Sequence, residues 1–109
     1  MSLEDFDVHW RQAHAPLVAS YKDTLRIARY VQSTRTDSRL VEITATVRGA
    51  PEPHDGVAEL WYASWEDLAA GFSTEEGRAA GRALIEDERR FIDLANSPIF
   101  FTTEREIVS

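Results

Sequence analysis

The stretch "DGVAELWYASWEDLAAGF" (Asp55–Phe72) changes its period in the middle. From Gly56 to Ser64, Val57, Glu59, Trp61 and Ala63 face one way and Ala58, Leu60 and Tyr62 the other, which is the alternation of a strand. Both rows carry bulk, so both faces are expected to be covered. At Ser64 the spacing becomes helical, with Ser64 as N-cap and Asp67 in the first turn. Gly71 and the Ser73–Thr74 pair break that helix and offer a fresh cap. A longer helix opening at Glu76 or Gly77 then carries Ala80, Leu84, Asp87, Phe91 and Leu94 at helical period, until "SPI" (97–99) stops it.

Upstream, "LRIARYVQSTR" (Leu25–Arg35) alternates and predicts a second strand. The connection holds a short helix capped by Asp37 or Ser38, opposed by the β-branched Ile43, Thr44, Thr46 and Val47, and then a Pro- and Gly-rich loop. At the start, Ser2 caps a helix whose Leu3, Phe6, Trp10, Ala13 and Leu17 form one apolar stripe. Pro16 removes a backbone donor, so this helix is expected to bend or end near His14, with Ala15–Lys22 as a kinked continuation or a turn. "FFTTEREIV" (Phe100–Val108) is expected to close the chain as a strand. The order helix, strand, loop, strand, helix, strand defines an α+β chain. It is a ferredoxin-like subunit, an antiparallel sheet with helices on one face, whose usual first strand is missing.

The chain has 109 residues, which is one domain (1–109) with one core. Hydrophobic residues make up 43% and charged residues 28%, the balance of a globular chain. A net charge of −7 argues against nucleic acid and anionic membrane as partners, since both need a basic face. There is no cysteine, which excludes disulfides, thiolate metal sites and cysteine nucleophiles and fits the cytoplasm. No apolar run reaches the roughly 20 residues of a membrane span, and the first residues lack the pattern of a signal peptide.

Five segments in this order, "HWRQAHAPLV", "ARYVQ", "DGVAELWYAS", "EDERRFID" and "FFTTEREIV", resemble the EthD-like domain family. The resemblance implies a dimeric α+β barrel, in which the sheet of one ferredoxin-like subunit packs on that of its partner. It also implies an apolar strand ahead of "SLEDF", central in the sheet, where this sequence has only Met1. A chain extended upstream by such a strand is expected to melt well above this one. Relatives implied by the resemblance include methylmuconolactone isomerases and small-molecule lyases, and more distantly cofactor-free monooxygenases, polyketide cyclases and haem-binding proteins.

His14 is the leading candidate for chemistry. It borders the apolar stripe, where a histidine is half-buried and suited to proton transfer, and it resembles the family's recurrent helix histidine. The competing reading makes it a cap on the helix end before Pro16. His54, in the loop before "DG", resembles a loop histidine of the lactone isomerases; otherwise it is an exposed loop residue. The cysteine those isomerases carry on the next strand falls at Leu60 here. His9 lies five residues from His14, about 140° away on a regular helix. The two then cannot share a metal as an i, i+4 pair does, and His9 reads as solvent-exposed. No metal site is expected.

Candidate ligand-binding residues are Trp10, Tyr30, Gln32, Glu59, Trp61, Tyr62 and Phe91. Tyr30 and Gln32 share a strand face and offer a phenol and an amide to a carbonyl. Glu59, inside an apolar strand, either pairs with Arg29 or Arg105 or lines a cavity. Arg89 and Arg90 either hold a substrate carboxylate or form surface salt bridges. The aromatic residues supply core or the wall of a ligand pocket. Taken with the resemblance, which implies the reaction and substrate classes, these features point to a cofactor-free enzyme, an isomerase, lyase or cyclase acting on a lactone, phenolic or polyketide-like compound. Two alternatives stand beside it: a non-catalytic binding or accessory protein for an oxygenase pathway, and a haem-binding or oxygen-handling barrel. The expected partners are a small apolar or aromatic ligand bearing a carbonyl, and a second copy of the chain.

Overall fold

The structure, a computed structural model, describes all residues 1–109. Its elements are α1 (Leu3–His9), a π-turn (Trp10–His14), α2 (Ala15–Ser20), β1 (Arg29–Thr34), α3 (Arg39–Arg48), β2 (Gly56–Trp61), α4 (Trp65–Ser73), α5 (Glu75–Glu88) and a short 3₁₀ turn (Leu94–Asn96). The fold is mixed α+β. β1 and β2 pair antiparallel, with Arg29 opposite Trp61 and Gln32 opposite Ala58.

Ser2 caps α1 by accepting from the Asp5 N–H, Ser64 caps α4 from Asp67, and Thr74 caps α5 from Gly77. Ser38 caps α3 from Val41, which decides between the two cap candidates there, and Gly49 at φ +61° ends α3 in the left-handed conformation.

Of the alternatives expected at Pro16, the chain takes the continuation. The chain widens into a π-turn, in which the Ala15 N–H reaches the Trp10 carbonyl, and continues as α2 through Pro16. The extra residue shifts the buried series to Phe6, Trp10, His14 and Val18, and Ala13, expected on the stripe, is exposed.

The strand expected from Leu25 begins only at Arg29. Leu25 and Ile27 are buried, but in a turn: their N–H groups bond back to Tyr21 and Lys22, and Arg26 takes φ +58° between them. Two apolar residues spaced by two thus reach the core without a ladder.

β2 ends at Trp61 rather than Ser64, and α5 ends at Glu88, short of the helical pattern that ran to Leu94. The expected strand Phe100–Val108 is absent; these residues join no ladder and are exposed, with Phe101 resting on the Trp65 ring at 5.8 Å. The edge of β2 away from β1 is unpaired.

Val18, Leu25, Ile27 and Ala80 form one core cluster, against which Tyr30 and Tyr62 pack. Both α2 and α5 therefore lie on the Tyr30 face of the sheet. The opposite face carries Arg29, Val31, Glu59 and Trp61. In β2 Val57, Ala58, Glu59 and Leu60 are all exposed, so the cover expected on both faces of this strand is absent within a single chain. Phe6, Trp10 and Phe91 form a second cluster, and Gly56 lets the Trp10 ring approach the sheet: a Cβ there would lie 2.6 Å from Trp10 Cζ3.

Candidate active site

The π-turn determines the site. Residues five apart stack there as residues four apart do in an α-helix, so His9 and His14, expected to diverge, both turn toward α5. They meet Asp87. His14 Nδ1 lies 2.7 Å from Asp87 Oδ2, and His9 Nε2 lies 3.1 Å from Oδ1. Arg90 donates to Oδ1 at 3.2 Å. His14 and Asp87 are each 5% exposed, and His9 is half-buried rather than solvent-exposed.

Phe91 covers both imidazoles, with ring centroids 4.8 Å from His9 and 5.0 Å from His14. It follows Asp87 by four residues, one turn on, although α5 proper has ended by then. Burial alone would raise the Asp87 carboxyl. The hydrogen bonds and charges of His14 and His9 outweigh it and hold the group below the ordinary aspartate range.

His14 Nε2 makes no hydrogen bond within the chain, and it is not among the fully enclosed polar atoms without a partner. An imidazole held at Nδ1 by a carboxylate, with Nε2 free, is the arrangement in which histidine moves protons.

On β1, Gln32 Nε2 donates to the Trp10 carbonyl at 2.9 Å and to the Tyr30 hydroxyl at 2.9 Å. The shared strand face read from the sequence is thus a hydrogen-bonded pair, tied to the π-turn through Trp10. The Tyr30 proton itself has no acceptor in the chain, so the phenol can donate to a ligand. Burial raises this phenol, while Gln32 and the Trp10 side chain lower it and the Glu88 charge raises it again.

Glu88 is half-buried and makes no side-chain hydrogen bond. Burial pushes its carboxyl up, with His14 opposing and Asp87 reinforcing.

The other sequence candidates are scattered. His54 sits in the exposed loop before β2 and touches neither histidine. Glu59 is exposed on the uncovered sheet face and forms no salt bridge, so neither expected environment, an arginine partner or a cavity, surrounds it within one chain. Trp61 is half-buried on that same face beneath the Arg29 guanidinium, 5.2 Å from the ring, and its Nε1 has no acceptor. Tyr62 packs on the core, and burial raises its phenol. Arg90 spends its charge on Asp87, the salt-bridge reading of that run.

Asp87 and Glu88 were not singled out from sequence. The signal existed for Asp87, an aspartate on the Ala80–Leu84–Phe91 stripe, where a charge needs a partner.

A two-stranded antiparallel sheet backed by helices, with a buried His–Asp pair joining the first helix to α5, defines a mixed α+β domain consistent with a ferredoxin-like subunit. The EthD domain model matches residues 1–95, and the chain belongs to the EthD family, a family of dimeric α+β barrels. The match stops short of Phe100–Val108, the segment without a ladder. Comparison with curated proteins and comparison with solved structures each find no match. No helix is long and apolar enough to cross a membrane.

Proposed function

We propose that this chain is a cofactor-free isomerase or lyase that moves a proton next to a carbonyl group in a lactone, phenolic or polyketide-like compound. The observation that carries the reading is the 2.7 Å contact of His14 Nδ1 with buried Asp87, which leaves Nε2 without a partner. Asp87 fixes the ring orientation and tautomer. Nε2 takes a proton from the carbon beside the carbonyl, and the C–H electron pair moves to the carbonyl oxygen as an enolate. The Tyr30 hydroxyl, braced by Gln32, donates to that oxygen. The imidazolium returns the proton to another carbon, or to a leaving group whose bond the enolate pair expels.

The working unit in this proposal is a homodimer in the cytoplasm. Family membership supports the dimer, as does the uncovered sheet face bearing Val31, Val57 and Trp61. Light scattering at micromolar concentration is expected to give twice the chain mass; a monomer contradicts this part of the reading.

A non-catalytic carrier is the second reading. It is favoured by the saturation of Asp87, whose bonds to His9, His14 and Arg90 also suit a clamp between α1 and α5. Wild type and His14→Asn are to be titrated with lactones, phenolic acids and polyketide-like aromatics, with product analysis of every binder. A ligand that both forms bind and only wild type converts supports acid–base catalysis. Equal binding with no conversion anywhere in the panel overturns it in favour of the carrier.

A further inference from the structure

Asp87 is shared unequally. Oδ2 lies 2.7 Å from His14 Nδ1 and 3.3 Å from His9 Nε2, while Oδ1 lies 3.1 Å from His9 Nε2 and accepts from Arg90 at 3.2 Å. His9 therefore reaches both oxygens, including the one that orients His14. The reaction proposed above uses His14, Asp87, Tyr30 and Gln32 and leaves His9 without a task.

Asp87 supplies one negative charge, and Arg90 already sets a permanent positive charge against it. One imidazolium fits beside them. A second would bring two more like charges onto one carboxylate in a partly dry site under Phe91, whose ring lies 4.8 Å from His9 and 5.0 Å from His14. The other polar groups nearby do little to relieve this. Glu88, next to Asp87 on α5, makes no side-chain hydrogen bond, and burial holds its carboxyl toward the neutral form. The strand packed on the π-turn, β1, brings the Gln32 amide to the Trp10 carbonyl and carries the neutral phenol of Tyr30. Asp7 and Arg11, on the same helical run as the two histidines, pair with each other at 3.6 Å. Of the two imidazoles, the His9 side chain is 27% exposed and that of His14 6%, so charging His9 forfeits less hydration.

We propose that His9 is a positioning residue that keeps His14 in its free-base form: the two imidazoles share one proton through Asp87, and His9 carries it. With His9 charged and bonded to both oxygens, Asp87 has less charge to offer a second imidazolium. His14 then stays neutral, with Nε2 able to accept a proton, to lower pH than it would beside Asp87 alone. The inference rests on the reading of His14 as the base, and it names what sets that base's working range.

The test follows the histidine ring resonances of the whole protein by NMR between about pH 4 and about pH 9, in wild type, His9→Gln and Arg90→Gln. Glutamine at position 9 keeps a donor for Asp87 and cannot carry the charge. In wild type the His9 and His14 curves are each expected to show two steps, because each ring senses the other's proton. In His9→Gln the His14 curve is expected to become a single step and to move up by about one pH unit, the size of coupling that marks interacting sites. Arg90→Gln removes an exposed cation from the same carboxylate and is expected to move both curves up, so the inference stays testable even where His9→Gln fails to fold, which circular dichroism checks. A His14 curve that is a single step in wild type, that is unmoved or moves down in His9→Gln, or an Arg90→Gln variant that leaves both rings unmoved overturns the inference. The titration needs no turnover. Coupled curves with no product from any ligand keep the shared proton and remove the catalytic reading; uncoupled curves with product do the reverse.

Discussion

His14 Nδ1 and Asp87 Oδ2 lie 2.7 Å apart with both side chains buried, and this contact fastens the first helix to α5. The same carboxylate also holds His9 and Arg90, so its removal leaves two imidazoles without their partner in a partly dry site. Asp87→Ala is expected to destabilise the protein by about 3 kcal/mol, the usual cost of removing one side of a buried pair. Asp87→Asn keeps the shape and part of the hydrogen bonding and is expected to cost less. Urea unfolding measures both; a loss under about 0.5 kcal/mol for the alanine variant contradicts the role given to Asp87.

Acid should act through the same residue. The Asp87 carboxyl is held below its ordinary value of 3.8, so the unfolded chain binds its proton more readily than the folded one. Its contribution is therefore present above about pH 4 and lost as pH falls through the lower folded value. The wild type is expected to lose stability between pH 4 and 2 more steeply than Asp87→Asn. Parallel unfolding curves for the two across that range exclude the linkage.

Glu88 has the opposite sign. Its carboxyl lies above the ordinary 4.5 because it is half-buried without a hydrogen bond, so its contribution is present below pH 4.5 and lost as pH rises through the folded value. Glu88→Gln is expected to stabilise by about 0.5 kcal/mol at pH 7 and by nothing at pH 3.5. Thermal melts at the two pH values check it, and an equal shift at both removes ionisation as the cause.

The fold class was legible in the sequence, as were some of the contacts around the candidate site, for local reasons. Ser2, Ser64 and Thr74 cap where their side chains reach orphan N–H groups, and Tyr30 and Gln32 share a face because strands alternate. What the sequence concealed was tertiary. Leu25 and Ile27 mimic strand alternation while turning into the core around Arg26. "FFTTEREIV" has strand composition, yet a strand exists only where a neighbour pairs with it. The pairing of His9 with His14 was hidden by the assumption of 3.6 residues per turn. Pro16 showed that the helix is disturbed, but not that the disturbance is a π-turn, which brings both rings onto one aspartate.

That geometry gives a test of the π-turn itself. A π-turn amounts to one residue inserted into an α-helix, so deleting one exposed residue within it should restore regular helix without rotating the flanks against each other. Ala13 is exposed. Its deletion leaves the two histidines four apart, the spacing that aligns side chains on an ordinary helix. The deletion variant is expected to fold, to keep both imidazoles on Asp87, and to melt within a few degrees of wild type, whereas deleting buried Trp10 unfolds the chain. The histidine ring resonances in NMR spectra report the Asp87 contacts directly. If deletion of Ala13 separates the two rings from Asp87 or collapses the fold, the wide turn is needed for more than alignment, and the Trp10 carbonyl, which accepts from both Ala15 and Gln32, becomes the first contact to restore.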